Sequence, residues 1–289
     1  MYEEYFGLTE EPFKLTPDPK YLYLSKRHLE AISCLHYGVD RRKGFIQITG
    51  EVGSGKTTLC RSFLGQLKEN VKYALIFNPR LSEALILKTI IEDFGIVGKL
   101  RNKKDYFDAI NNFLLEKNSM GENVVLIIDE AQDLTPRVLE QIRLLSNLET
   151  ETDKLLQIVF LGQPEFRDIL KQPSMLQLRQ RITIRYHLTA LTFDEMIEYI
   201  YHRLMIAGAT DQSIIFTPKA LSVVFEYSKG IPRLVNSLCD KILMAAYVND
   251  ARQITYQVAE EAVCEIEGVE PEHKNLDNLL NIGIIEGRS

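Results

Sequence analysis

The chain has 289 residues, of which 45% are hydrophobic and 26% are charged, a composition that fits an ordinary globular protein and excludes a disordered or fibrous one. Its formal net charge of −6 gives no overall attraction to nucleic acid or to anionic lipid. The longest apolar run, Val124–Ile128, is far shorter than the roughly 20 residues of a membrane-spanning helix, and the acidic N-terminus has no apolar stretch behind it, which excludes a secretory signal.

The first predicted segment is residues 1–43, which we expect to form a leader or linker onto a folded domain. Three prolines between residues 12 and 19 interrupt any early helix. Ser25 could cap a helix that continues to Tyr37.

Residues 44–190 are predicted to form an α/β core, because short β-rich runs alternate with helical patterns. The predicted strands are Phe45–Thr49, Val71–Phe77, Val124–Ile128, Leu155–Leu161 and Ile182–His187. The predicted helices lie near Thr57–Leu67, Ser82–Phe94, Asp105–Asn118, Thr135–Leu148 and Pro164–Leu170. This alternation is typical of a parallel sheet that helices cover on both faces.

Residues 191–268 are predicted to form a small all-α domain, because no strand pattern follows residue 190. Thr192 with Glu195 predicts a capping box at the start of a helix, and Thr217 with Pro218 predicts the start of the next. Two further segments with helical apolar periodicity, residues 233–247 and 255–267, follow. We expect residues 269–289 to form a flexible tail.

The clearest motif runs from Gly50 to Thr57 and matches G-x-x-x-x-G-K-S/T at every fixed position. It lies between a predicted strand and a predicted helix, where backbone N–H groups and a helix N-terminus can surround phosphates. Lys56 is expected to reach the β- and γ-phosphates, and the Thr57 hydroxyl is expected to ligate Mg²⁺. The residues expected to contact nucleotide here are Gly50, Gly53, Ser54, Gly55, Lys56, Thr57 and Thr58.

A second motif, Asp129-Glu130, follows the apolar strand Val124–Ile128. Carboxylates at the end of a buried strand are expected where a metal-bound triphosphate is held. We expect Asp129 to hold Mg²⁺ and Glu130 to act as the general base toward the attacking water. The alternative is an acidic N-cap for the helix that follows. The pairing with the P-loop favours ATP binding and hydrolysis.

Gln163 is the polar residue that follows the next predicted strand, so it could orient water near the γ-phosphate. The alternative is a helix cap ahead of Pro164. Gln132, just past the acid pair, is a further candidate for the same role.

Arginines could stabilise the charge that develops on phosphoryl oxygens in the transition state. Arg179 and Arg181 precede the last predicted strand, and Arg233 opens a helix of the predicted C-terminal domain. An arginine on a separate domain can also report the nucleotide state by moving. For each residue the alternative is a surface salt bridge.

The chain resembles AAA+ ATPases in the order of its motifs. These are the P-loop, the acid pair, the strand-end glutamine, the paired arginines and Gly230-Ile231-Pro232-Arg233. The resemblance implies a five-stranded parallel core, a helical lid with nucleotide at their junction, and an arginine finger from a neighbouring subunit. It therefore implies self-association into a nucleotide-dependent oligomer.

Residues 3–267 more narrowly resemble the general secretion pathway protein A (ExeA-like) family. The shared stretches include Tyr5-Phe6-Gly7-Leu8, Ile128-Asp129-Glu130-Ala131-Gln132, Arg143-Leu144-Leu145-Ser146-Asn147-Leu148-Glu149-Thr150, Gly162-Gln163-Pro164-Glu165 and Tyr201-His202-Arg203-Leu204. This resemblance implies that Arg181 is the preferred candidate for the finger, with Arg179 as the alternative, and that Arg233 is the lid sensor. Longer members continue into a membrane helix and a periplasmic domain. The chain stops at Ser289, so it is either a short member or a cytoplasmic part of a longer one.

Three functions remain open at this point. The resemblance favours an ATP-hydrolysing switch that assembles an envelope secretion or exopolysaccharide export system, with inner-membrane components as partners. The second function is a DNA-associated regulator like the transposition ATPases, and the third is a nucleotide-gated scaffold with negligible turnover.

The four scattered cysteines form no C-x-x-C pair and predict neither a metal site nor disulfides. We therefore expect a cytoplasmic location, peripheral to the inner membrane through a partner.

Overall fold

The computed structural model describes residues 1–269 except residues 17, 78, 151–152 and 211–213. The chain divides into two compact units. One unit comprises Thr16–His202 and Lys229–Leu234; the other comprises Met1–Leu15, Arg203–Ser228 and the residues from Val235 onward. The domain boundaries inferred from the sequence stay predictions, and residues 270–289 of the predicted tail lie outside the described residues.

The first unit contains a five-stranded parallel sheet in the order β2-β3-β4-β1-β5. The strands are β1 (Phe45–Gly50), β2 (Val71–Ile76), β3 (Asn123–Ile128), β4 (Leu156–Gly162) and β5 (Ile182–Leu188). The predicted five-stranded parallel core is thereby confirmed, with each strand within one residue of its predicted ends. The strands β1, β3 and β4 are buried along their whole length, which explains why most of their residues are apolar.

Helices cover both faces of this sheet. The α-helices of the described residues are α1 (Tyr2–Phe6), α2 (Lys26–Asp40), α3 (Lys56–Gly65), α4 (Glu83–Asp93), α5 (Lys103–Ser119), α6 (Pro136–Leu145), α7 (Glu165–Lys171), α8 (Leu176–Arg181), α9 (Phe193–Ile206), α10 (Pro218–Ser228), α11 (Pro232–Val248) and α12 (Tyr256–Glu267). Helices α2 and α3 pack on one face of the sheet, and α4, α5 and α6 pack on the other. The helix α8 was not predicted, because six residues are too few to show a helical period.

Helix α2 packs against the sheet of the first unit. Its buried side chains Ala31, Leu35 and Val39 join the apolar cluster beneath β1, β3 and β4. Ser25 caps this helix, as predicted, by accepting a hydrogen bond from His28 N. Because the i, i+4 spacing of these apolar residues forms one helical face, this face of α2 contributes to the core of the first unit.

The second unit is helical, as predicted, and it also contains one short pair of strands. Ile215–Phe216 and Gln253–Ile254 form a short parallel pair of strands, β6 and β7. Two residues per strand are too few to produce a recognisable alternation in the sequence. The N-terminal segment belongs to this unit: the Tyr2 hydroxyl donates to Asp240 (2.6 Å) and Thr9 N donates to the Ala207 carbonyl (2.8 Å).

Parallel strands place the P-loop, the Asp129-Glu130 pair and Gln163 at one edge of the sheet. Thr49 of β1 pairs with Gly162 of β4, and Ile128 of β3 pairs with Phe160 of β4. The segments that follow β1, β3 and β4 therefore leave the sheet side by side. In the described part of the chain, no helix is both long and apolar enough to cross a membrane.

Candidate nucleotide-binding site

The P-loop connects the end of β1 to the start of α3. Ser54 N donates to the Glu51 carbonyl (3.1 Å) within the loop, and Gly55 is the N-cap residue, with a φ of 97°. The first N–H groups of α3, including that of Thr58, have no acceptor one turn earlier in the helix. The buried Ser54 hydroxyl also makes no hydrogen bond within the described residues. The loop therefore offers several donors to an anion.

Lys56 lies inside the curve of this loop and is only 7% exposed. Its ammonium group donates to the carbonyl oxygens of Gly50 (2.7 Å) and Glu51 (2.9 Å). Burial lowers the pKa of Lys56, and the negative charges of Glu130 and Asp129 oppose that shift. The ammonium group is thus held by neutral carbonyls, which charged phosphate oxygens can replace as acceptors.

Thr57 and Asp129 meet at the edge of the sheet. The Thr57 hydroxyl donates to Asp129 Oδ2 (3.1 Å), and Asp129 Oδ1 accepts from Glu130 N (2.9 Å). Asp129 is 3% exposed, and this burial raises its pKa. A hydroxyl and a carboxylate in contact beside a phosphate-binding loop are the oxygen ligands that Mg²⁺ takes in such sites. These two residues therefore fit the predicted metal site.

Glu130 has an unusual backbone conformation for its residue type. Its φ is 51°, in the left-handed region, which costs a non-glycine residue roughly 1–2 kcal/mol. Strain of this kind is concentrated at functional sites. Here it turns the chain between β3 and the short 3₁₀ helix Ala131–Asp133.

Two glutamine amides hold the Glu130 carboxylate. Gln132 Nε2 donates to Glu130 Oε2 (2.6 Å), and Gln163 Nε2 donates to the same oxygen (3.3 Å). The carbonyl oxygen of the Gln132 side chain accepts from Gln163 N (2.9 Å). Gln132 thus connects the chain after β3 to the chain after β4, and Glu130 Oε1 is left free of these bonds.

Arg233 lies next to the P-loop through its backbone. Arg233 N donates to the Gly53 carbonyl (3.4 Å). A Cβ on Gly53 would lie 2.6 Å from the Arg233 Cβ, and Gly53 has a φ of 80°. Glycine is therefore required at position 53 both for the turn and for this approach. The Arg233 side chain itself is exposed.

Arg181 is the predicted site residue that the structure does not bring to this site. It precedes β5, whose first residue Ile182 pairs with Phe45 at the start of β1. The P-loop follows the other end of β1, roughly 16 Å away at about 3.3 Å per residue. Arg181 instead donates to the Ser146 hydroxyl (2.9 Å). It is therefore too far to contact a nucleotide held by its own P-loop.

His28 is a buried residue at the P-loop that the sequence did not indicate. Its ring contacts the Ser54 carbonyl and Gly55 from the first turn of α2. A single histidine 22 residues before the motif matches no motif spacing, so only the folded chain shows it.

The strand order, the P-loop and the acid pair together resemble those of P-loop proteins of the AAA+ class. Residues 39–170, slightly less than half of the chain, match the AAA domain family. The chain is also 45% identical over 273 residues to general secretion pathway protein A of Aeromonas hydrophila. This match covers 94% of the chain and 50% of that protein, so the chain spans about half of its relative's length. The resemblance seen in the motifs is confirmed.

Solved structures show the same fold. The ORC2 protein of Aeropyrum pernix, determined as ADPNP–ADP complexes, has a TM-score of 0.64 at 17% identity, over 89% of this chain and 71% of that chain. Cdc6p of Pyrobaculum aerophilum has a TM-score of 0.62 at 17% identity, over 94% of this chain and 92% of that chain. At this level of identity the likeness concerns the fold alone.

Proposed function

We propose that the chain binds Mg²⁺ and ATP at the P-loop and hydrolyses the ATP to ADP and phosphate. The observation that carries this proposal is the grouping of Lys56, the Thr57–Asp129 pair and an amide-held Glu130 at one edge of the sheet. A site that only bound nucleotide would not need an oriented carboxylate beyond the metal ligands.

In this proposal the loop residues bind the triphosphate. The Lys56 ammonium exchanges its two carbonyl acceptors for β- and γ-phosphate oxygens, and the N–H groups of Gly53 to Thr58 donate to the remaining oxygens. Thr57 and Asp129 would hold Mg²⁺, Asp129 through water. The ion would neutralise charge on the phosphates.

In the proposed hydrolysis step, Glu130 accepts the proton of the attacking water. The water oxygen bonds to the γ-phosphorus, the bond from that phosphorus to the β–γ bridging oxygen breaks, and ADP leaves with the electron pair. Glu130 Oε1, which the two glutamines leave free, accepts the proton. Gln132 and Gln163 fix the direction of this carboxylate, and Arg233 is a candidate for sensing the nucleotide from beside Gly53.

We also propose that Arg181 completes the site of a second copy of the chain. Its distance from its own P-loop excludes a role in the same subunit, and an arginine finger supplied by a neighbour is compatible with that placement. The protein would then assemble when ATP is bound, because nucleotide at an interface contributes binding energy to it.

At the level of the cell, we propose that the ATPase acts as a switch in the assembly of an envelope secretion or export system. The support is the 45% identity to general secretion pathway protein A. Inner-membrane components of such a system are the proposed partners, which would place the protein in the cytoplasm next to that membrane.

Phosphate release from ATP by the purified chain tests the proposal. We expect turnover that requires Mg²⁺, stops with EDTA, and rises per subunit as the protein concentration increases. Absence of turnover at every concentration, with tight ATP binding, would instead identify a nucleotide-gated scaffold. Stimulation by duplex DNA that disappears at high salt would favour a DNA-associated regulator.

A further inference from the structure

His28 belongs to a helix that the nucleotide-binding motif does not include, yet its side chain ends at the P-loop. It lies in the first turn of α2, is 4% exposed, and both of its ring nitrogens have partners. Nδ1 lies 2.8 Å from the Ser25 hydroxyl, and Nε2 lies 3.2 Å from the carbonyl oxygen of Ser54. The imidazole thus bridges the N-terminus of α2 and the loop.

The partners determine which ring nitrogen carries the proton. The Ser54 carbonyl can only accept a hydrogen bond, so Nε2 must donate, and Nδ1 then accepts from the Ser25 hydroxyl. Burial lowers the pKa of His28, which favours this neutral form. Both ends of the ring are therefore fixed.

Fixing the Ser54 carbonyl also fixes the N–H of the next residue. The peptide group between Ser54 and Gly55 is planar and trans, so its C=O and N–H point in opposite directions. His28 holds the carbonyl on the side of α2. The Gly55 N–H consequently points away from α2, toward the inner side of the loop, where donors serve an anion.

Gly55 makes this contact possible. A Cβ at this position would lie 2.8 Å from His28 Nε2, and the φ of Gly55 is 97°. A larger residue would push the imidazole away from the Ser54 carbonyl. Histidine and glycine therefore form a matched pair at this point of the loop.

We propose that His28 is a positioning residue of the P-loop, which holds the Ser54–Gly55 peptide in the orientation that presents the Gly55 N–H to a nucleotide phosphate. The inference rests on the proposed nucleotide binding and extends the site to helix α2. It assigns to residues 25–28 a role in phosphate affinity rather than in chemistry at the γ-phosphate.

Two substitutions of His28 distinguish the hydrogen bond to Ser54 from the one to Ser25. In His28→Gln the amide nitrogen can occupy the position of Nε2 and donate to Ser54, whereas in His28→Asn the shorter side chain reaches only toward Ser25. His36→Ala is the matched control, because His36 lies on the same helix and contacts Gln66 and Phe63 of the α3 region instead of the P-loop. The probe is Mg-ADP carrying a fluorescent ribose label, and the thermal midpoint of each variant is measured in parallel.

We expect His28→Asn to raise the Kd for ADP, and the KM for ATP, about fivefold, the size that loss of one neutral hydrogen bond gives. His28→Gln and His36→Ala should stay within about twofold of the wild type. The kcat should change little, since the contact is made equally before and during hydrolysis. A folded His28→Asn with wild-type affinity, or equal losses in Asn and Gln, would overturn the inference. If the wild type itself binds no ADP, the proposed function fails instead.

Discussion

Gln132 provides a sharp test of how the site orients its proposed base. The substitution Gln132→Ala removes two hydrogen bonds at once: the donation to Glu130 Oε2 at 2.6 Å and the acceptance from Gln163 N at 2.9 Å. Glu130 keeps the weaker bond from Gln163 Nε2 at 3.3 Å. The carboxylate would then rotate more freely, and the segments that follow β3 and β4 would lose the hydrogen bond between Gln132 and Gln163.

The magnitude follows from the kind of bond that is lost. A hydrogen bond to a charged group contributes about 1.5–3 kcal/mol, and each 1.36 kcal/mol changes a rate about tenfold. If the bond keeps Glu130 in its reactive direction, kcat should fall by about 10- to 100-fold. ATP affinity should change little, because the described contacts of Gln132 are with Glu130 and the end of β4 rather than with the P-loop.

The assay is steady-state phosphate release, with the Kd for ATP measured separately by fluorescence titration. Gln177→Ala on the exposed side of α8 is a matched control and should behave as the wild type. Gln132→Glu should be at least as inactive as Gln132→Ala, because a second carboxylate would repel Glu130. Turnover of Gln132→Ala within twofold of the wild type, or a loss confined to ATP affinity, would refute the reasoning.

Three further predictions concern other parts of the account. Lys56→Ala should lose ATP binding in a titration, because it removes the charge that faces the β- and γ-phosphates; near-normal affinity would show that the site is misplaced. Arg181→Ala should bind ATP normally but turn over slowly, and mixing it with Glu130→Gln should restore partial activity; no recovery in mixed oligomers contradicts the role in trans. Burial holds the folded pKa of His28 below its usual 6.5, so its contribution to stability is present above about pH 6.5 and is lost as the pH falls through the folded pKa. Between pH 7.5 and 5.5, the free energy of unfolding measured in urea should therefore fall more for the wild type than for His28→Gln. Equal decreases would contradict the lowered pKa of His28.

The sheet and the motifs could be predicted from the sequence because their signals are local. A run such as Val124–Ile128 is apolar at every position, since both faces of β3 are buried, and the P-loop is a fixed string. The start of a helix also has a local signal. In the predicted capping box, Glu195 Oε2 accepts from Thr192 N (3.0 Å) and the Thr192 hydroxyl accepts from Glu195 N (3.3 Å).

The remaining features depend on contacts between distant parts of the chain. His28 meets Ser54 only because α2 packs beside β1, and Gln132 meets Gln163 only because β3 and β4 are neighbours. The separation of Arg181 from the P-loop follows from strand direction and register, which a motif does not contain. The pair β6 and β7 is too short to show a pattern.

We propose that Glu130 accepts the proton of the attacking water. Hydrolysis by Glu130→Gln tests this role most directly. The amide retains the shape of the side chain but cannot accept that proton, and general base catalysis contributes about 10²- to 10⁴-fold. The measurement is single-turnover hydrolysis of Mg-ATP by the wild type and the variant, with the Kd for ATP determined for both. We expect an unchanged Kd and a rate at least about 100-fold lower for Glu130→Gln. A rate within about threefold of the wild type would contradict it.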